Sequence, residues 1–85
     1  MEVHYSDRFE REYRKLSLSL KEKAEKQEAL FRKNPFDVRL KTHKLQGKLK
    51  DRWSFSVDRR YRILFRLMEK DVALFIDIGD HRIYQ

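Results

Sequence analysis

Apolar and polar positions follow two different periods along this chain, and the change of period divides it in two. Glu2-Val3-His4-Tyr5 alternates over a few residues, which predicts a short strand. Ser6-Asp7 then supplies a short side-chain oxygen that can accept from the free amides of a helix's first turn. Phe9, Tyr13, Leu16 and Leu20 follow at helical spacing, one stripe of an amphipathic helix. Ser17-Leu18-Ser19 interrupts the stripe, and Ser19 with Glu22 fits a capping box, so a second helix is predicted to start there. Its stripe is Leu20, Ala24, Gln27, Leu30 and Phe31. Asn34-Pro35 ends it, because a residue before proline avoids helical angles. The two helices are expected to form a hairpin with one shared apolar side.

Residues 36–50 read as an irregular connector that Val38, Leu40 and Leu45 pin to the core, with a turn at Gly47. From residue 52 the period becomes two. Trp53, Phe55 and Val57 alternate with Ser54 and Ser56, and Asp58-Arg59-Arg60 forms a turn. Ile63, Phe65 and Leu67 then alternate with Arg62, Leu64 and Arg66, and Glu69-Lys70-Asp71 forms the next turn. Val72 to Ile78 is nearly continuous apolar, which predicts a central strand covered on both faces, and Gly79 breaks it. The predicted fold is α+β in the order β-α-α-β-β-β: an antiparallel sheet with an N-terminal helical hairpin packed on one face, the first strand returning to join the others. Residues 1–85 are expected to form a single domain.

Composition narrows the class. The chain has no cysteine, so disulfides and thiolate metal sites are excluded. No apolar run approaches the roughly 20 residues that span a bilayer. Met1-Glu2-Val3-His4 is not the start of a secretory signal, which with the lack of cysteine points to the cytoplasm. Lys and Arg number 21 against 14 Asp and Glu, a net charge of +7. The excess is concentrated. Residues 39–66 hold Arg39, Lys41, Lys44, Lys48, Lys50, Arg52, Arg59, Arg60, Arg62 and Arg66 against only Asp51 and Asp58. Such a block with aromatics among it is an electrostatic footprint for a polyanion, solubility alone being the plainer reading.

The candidate chemistry lies at the two ends of the strand region. Gly79-Asp80-His81-Arg82-Ile83-Tyr84 follows the most apolar strand and carries a histidine that can move a proton, an arginine that can clamp a phosphate and a tyrosine that can stack on a base. A polar chain end is the alternative. Arg62 is predicted on the face opposite Ile63, Phe65 and Leu67, beside Ser54 and Ser56, as a phosphate ligand, with a salt bridge to Asp77 as its other use. No pair of histidines has metal-ligand spacing, and no nucleophile elbow, phosphate loop, paired carboxylates or dinucleotide fingerprint appears, so no metal or cofactor is expected. RNA cleavage needs none of these, because the substrate's 2′-hydroxyl is the nucleophile.

The runs His43-Lys44-Leu45-Gln46-Gly47, Trp53-Ser54-Phe55-Ser56-Val57, Tyr61-Arg62-Ile63-Leu64-Phe65 and Gly79-Asp80-His81-Arg82-Ile83-Tyr84, after a helical hairpin ending in Asn34-Pro35, resemble the RelE/ParE toxins of type II toxin–antitoxin systems over essentially the whole chain. The resemblance implies a cytoplasmic toxin neutralised by a cognate antitoxin. Two activities occur in the family: cleavage of mRNA in the ribosomal A site by RelE-, YoeB- and YafQ-like members, and blockage of DNA gyrase by ParE-like members. Residue by residue it favours the nuclease, with ribosome and mRNA as partners and a monomeric free chain. Arg62 matches the arginine that holds the scissile phosphate. His81 matches the C-terminal histidine of YafQ-like members, an acid or base. Tyr84 falls close to the terminal aromatic of RelE- and YoeB-like members, and His43 matches a histidine before the Leu-x-Gly turn. Lys44, Lys48, Lys50, Arg59, Arg60 and Arg82, with Ser54 and Ser56, would contact RNA. The sequence departs from the family on the second strand of the C-terminal half, where relatives carry lysines, a histidine or arginines and this chain carries Ser54 and Ser56. A gyrase poison, which needs no acid or base, and a non-toxic antitoxin-binding relative are the alternatives.

Overall fold

Ser6 joins the first strand, the first helix and the last strand. Its backbone is extended (φ −72°, ψ 161°), its Oγ accepts from the Phe9 amide at 3.0 Å, and the same hydroxyl donates to the Ile76 carbonyl at 2.7 Å. The structure, a computed structural model, describes residues 1–84. In it β1 (Glu2–Tyr5) is followed by α1 (Asp7–Arg14), α2 (Leu18–Lys33) and a 3-10 turn at Val38–Leu40. Then come β2 (His43–Lys44), a second 3-10 turn at Gly47–Leu49, β3 (Trp53–Ser56), β4 (Arg62–Glu69), β5 (Val72–Gly79) and a closing turn at His81–Tyr84. The sheet order is β1-β5-β4-β3-β2.

The α+β class, the helical hairpin on one face and the return of the first strand are as expected. Four details differ. The sheet is mixed: β2, β3, β4 and β5 pair antiparallel, but β1 runs parallel to β5, Val3 opposite Ala73. Ser6 sets that direction, since its amide donates to the Phe75 carbonyl at 3.0 Å while its hydroxyl reaches Ile76, laying β1 along β5. β5 is consequently one strand in from the edge, with β4 in the middle. Ala73, Phe75 and Ile78 are buried, whereas Leu74 and Ile76 are only half-buried because the helices cover one face. The second helix starts from Ser17, whose extended backbone (ψ 159°) brings Oγ to the Leu20 amide at 3.2 Å, so Ser19 already lies in the first turn. Finally, the connector contains the two-residue strand β2 and is pinned less fully than expected. Leu40 is completely buried and Leu45 half-buried, but Val38 is 85% exposed, because the turn that Asp37 caps points Leu40 inward and Val38 out. Gly47 does make a turn, at φ +70°.

Phe31 is the centre of the core. It is wholly buried on α2 and meets one phenylalanine from each of three adjacent strands: Phe55 stacked at 5.0 Å between ring centroids, Phe65 edge-on at 4.9 Å and Phe75 edge-on at 5.1 Å. Each such pair adds about 0.5–1.5 kcal/mol beyond the area it buries. α1 contributes Phe9, which packs on Phe75 at 5.5 Å. Gln27, in the predicted apolar stripe of α2, is half-buried because its amide donates to the Ser56 carbonyl at 2.8 Å.

Phe31→Ala should cost about 3–5 kcal/mol in urea unfolding, a large share of the roughly 5–15 kcal/mol typical of such domains. Val38→Ala, at an exposed connector position, should change stability by less than about 0.5 kcal/mol. Similar midpoint shifts for the two variants would contradict this view of the core.

Candidate active site

Alternation along β3 and β4 sorts their side chains onto two faces. Phe55, Ile63 and Phe65 turn toward the helices, and Ser54, Ser56, Arg62 and Leu64 turn away. Register sets the neighbours on the second face: Ser56 opposite Arg62, Arg62 opposite Gly79, and His43 opposite Ser54. The Arg62 guanidinium donates to the Ser56 hydroxyl. It makes no salt bridge to Asp77, the alternative that the sequence allowed. That carboxylate is taken by Arg8, Nε to Oδ2 at 3.0 Å, and by the Ile78 amide at 2.8 Å.

Asp80 starts the closing turn. Its Oδ1 accepts from the Arg82 amide at 3.0 Å, and its carbonyl accepts from the Ile83 amide at 3.0 Å. The chain folds back so tightly that a Cβ on Gly79 would lie 2.7 Å from Ile83 Cγ2, so any side chain there would force Ile83 to shift. The far end of the turn is pinned to β3: the Tyr84 hydroxyl donates to Ser54 Oγ at 3.0 Å. Between these two restraints His81 stands exposed in a cleft of about 340 Å³ with Arg59, Arg60, Arg62 and Asp80. A neighbouring cleft of about 310 Å³ shares Arg59 and Arg62 and adds Arg39, Lys41 and Ser56. Asp58 shapes the loop that carries Arg59 and Arg60, accepting from the amides of Arg60 at 2.9 Å and Tyr61 at 2.7 Å.

The charges around these clefts are unevenly matched. Asp80 is held at about 2 chiefly by its hydrogen bonds from Arg82, and Asp37 at about 2 chiefly by those from Arg39. Each carboxylate thus has an arginine of its own. No carboxylate pairs with Arg59, Arg60 or Arg62 among the described residues. The unmatched positive charge therefore gathers where His81 stands, which suits a phosphodiester.

The structure brings together Arg62, His81, Arg59 and Arg60, and separately His43, Ser54 and Tyr84. Of the remaining sequence candidates, only Ser56 lines either cleft. Ser54 is fully buried and Ser56 nearly so, and both hydroxyls are engaged within the protein. Lys44 alternates onto the side of Trp53, with its ammonium 5.9 Å from the ring. Lys48 and Lys50 stand on the loop between β2 and β3, lining neither cleft. Arg82 is locked to Asp80 by two contacts of 2.9 Å and faces a different cavity, beside Arg8 and Lys15 of the α1 region. Asp58, Gly79 and Asp80 organise the site: the sequence placed a turn at Asp58 and a strand break at Gly79, but not the bonds by which Asp58 and Asp80 shape their turns. An aspartate two residues before a bonded amide is the local signal for both turns.

No protein-family model matches the sequence, and no curated protein matches it as a relative. Solved structures do share its fold. YafQ from E. coli strain BL21(DE3) aligns at a TM-score of 0.76 and 21% identity, covering 98% of this chain and 96% of that one. The YoeB/ParE toxin from Agrobacterium tumefaciens aligns at 0.80 and 18% identity, covering 95% and 99%. The E. coli DinJ–YafQ toxin–antitoxin complex aligns at 0.66 and 18% identity, covering 96% and 93%. The fold is the one these toxins share. No helix among the described residues is long and apolar enough to cross a membrane.

Two outcomes test this geometry. Gly79→Ala should cost about 1–3 kcal/mol by forcing Ile83 aside. Combined with Ile83→Ala, its cost should fall, giving a coupling above about 0.5 kcal/mol in a double-mutant cycle, whereas additive costs would refute the contact. The Asp80 carboxyl, lowered in the fold from its ordinary 3.8 to about 2, supports the folded state above pH about 4 and loses that support as pH falls toward about 2. Titration of its carboxyl signal by NMR should show the low midpoint, and Arg82→Gln should raise it part of the way toward the ordinary range, because the residue-82 amide still donates to Oδ1.

Proposed function

We propose that this chain is the toxin of a type II toxin–antitoxin system and acts as a ribosome-dependent mRNA endonuclease in the cytoplasm. The observation that carries the reading is the shared cleft: Arg62 and His81 line one space with Arg59 and Arg60, and among the described residues none of these arginines is paired to a carboxylate. The fold shared with YafQ and with the YoeB/ParE toxin supports it, as does the resemblance of the closing Gly79-Asp80-His81-Arg82-Ile83-Tyr84 segment. The partner proposed for the free toxin is a cognate antitoxin, by analogy with the DinJ–YafQ complex. The whole chain acts as one domain in this reading, without metal or cofactor.

Strand cleavage asks three things of the protein. The substrate 2′-oxygen attacks phosphorus and the bond to the 5′-oxygen breaks, leaving a 2′,3′-cyclic phosphate and a 5′-hydroxyl. The 2′-hydroxyl must lose a proton, the 5′-oxygen must gain one, and the charge on the phosphoryl oxygens must be steadied. Arg62 is suited to the last, since Ser56 fixes one end of its guanidinium and leaves other N–H groups for a phosphate. His81 is suited to protonating the 5′-oxygen, because its ring is exposed and meets no hydrogen-bond partner among the described residues. Arg59 and Arg60 are suited to gripping the neighbouring backbone.

In a reconstituted translation system the protein should cut mRNA, and His81→Ala should lower the rate by about two to four powers of ten. Arg62→Ala should lower it by a similar factor, while Lys48→Ala, outside the clefts, should leave it within about threefold, since a lone lysine adds only one of many phosphate contacts. Inhibition of gyrase supercoiling by the purified protein, without any mRNA cut, would overturn the nuclease in favour of the gyrase reading.

A further inference from the structure

The nuclease reading leaves one proton without a carrier, because β3 offers Ser54 and Ser56 in place of a basic side chain. The second polar cluster on the open face bears on this. His43 lies opposite Ser54, and its two ring nitrogens are both engaged: Nδ1 with the Lys41 carbonyl at 3.2 Å and Nε2 with Ser54 Oγ at 3.4 Å. A carbonyl only accepts, so Nδ1 carries the hydrogen and neutral His43 presents Nε2 as an acceptor. Ser54 must then be the donor to Nε2. Its oxygen in turn accepts from the Tyr84 hydroxyl at 3.0 Å. All the donors point one way, from Tyr84 to Ser54 to His43.

Burial makes the direction consequential. Ser54 is fully buried, so it exchanges protons only with its two partners. Tyr84 is half-buried and ends the same turn that presents His81. Ser54 and Ser56 are two residues apart on one face of β3, roughly 7 Å along the strand. Ser56 holds Arg62 and Ser54 holds Tyr84, so the two groups are anchored at neighbouring positions on one face of β3. No carboxylate pairs with His43 among the described residues. The groups that face it are Ser54 from β3 and, through Ser54, Tyr84, with Lys41 and Lys44 flanking it on its own segment and the Lys44 ammonium turned over Trp53.

We infer that His43 serves as a remote proton acceptor for cleavage, working through Ser54 and Tyr84, an inference that rests on the nuclease reading above. In the step, the substrate 2′-hydroxyl gives its proton to Tyr84 Oη as Tyr84 gives its own to Ser54 Oγ and Ser54 gives its own to His43 Nε2. The 2′-oxygen bonds to phosphorus, the bond to the 5′-oxygen breaks, and that oxygen takes a proton from His81. His43 ends protonated, with Nδ1–H still on the Lys41 carbonyl, and Tyr84 and Ser54 are restored as neutral hydroxyls turned around. Tyr84 alone of the three touches substrate. Ser54 and His43 are positioning residues that act through it.

The test uses the full chain in two measurements. Imidazole nitrogen NMR of the free protein should show His43 with hydrogen on Nδ1, and Ser54→Ala or Tyr84→Phe should change its Nε2 signal. An unchanged Nε2 signal in both variants overturns the relay without any reference to activity. Cleavage of mRNA on translating ribosomes, followed against pH, should show a wild-type acid limb set by protonation of His43. Tyr84→Phe, which removes one oxygen and keeps the ring, and Ser54→Ala should each lose about a hundredfold and both lose that limb, while Ser54→Thr should keep it. Where the wild type cuts and both variants keep the limb, the relay is wrong and the nuclease stands. Where the wild type does not cut, the nuclease reading fails and the relay has no reaction to serve.

Discussion

Phe31 is the constraint on which the rest of the molecule depends. A single ring on α2 touches Phe55, Phe65 and Phe75 on β3, β4 and β5, so the helix and three strands share one contact. A strand cannot slip by one residue past this point without sending its phenylalanine to the wrong face. The register of β3, β4 and β5 is therefore set by packing on one side, and that register in turn arranges the other.

The candidate site occupies this other side. With Phe55 and Phe65 turned inward, Ser54, Ser56 and Arg62 have to turn outward, and pairing places Arg62 between Ser56 and Gly79. Gly79 ends β5 beside Arg62 and lets the closing turn fold back, which sets His81 against the arginines and Tyr84 over Ser54. No loop longer than a few residues separates these groups from the packed strands. Their mutual placement therefore follows from the register of the packed strands beneath them, as a preorganised site requires.

Most of this arrangement was legible in the sequence, and the gaps have physical causes. Period-two alternation marked the strands and the two faces because one face is buried, and the position of Arg62 beside the serines came directly from it. The parallel pairing of β1 was not legible. It depends on Ser6 reaching two carbonyls far along the chain, those of Phe75 and Ile76, which no local pattern records. The start of α2 was misplaced because Ser17 and Ser19 are equal candidates until backbone geometry chooses. Charge counting put Lys44, Lys48, Lys50 and Arg82 with the other cations, but counting cannot see that Lys44 turns to Trp53 and Arg82 to Asp80. Ser54 looked like an outward polar residue. It is the most buried hydroxyl of the face because His43 and Tyr84 close over it.

Cleavage of mRNA by this face during translation is the claim on which the functional reading stands. Primer extension on cellular transcripts after induction of the protein tests it most directly, with and without a block to initiation. New 5′ ends are predicted at codon-phased positions, and they should vanish when ribosomes are kept off the message. Growth arrest with intact transcripts, or cuts that persist without translation, would contradict it.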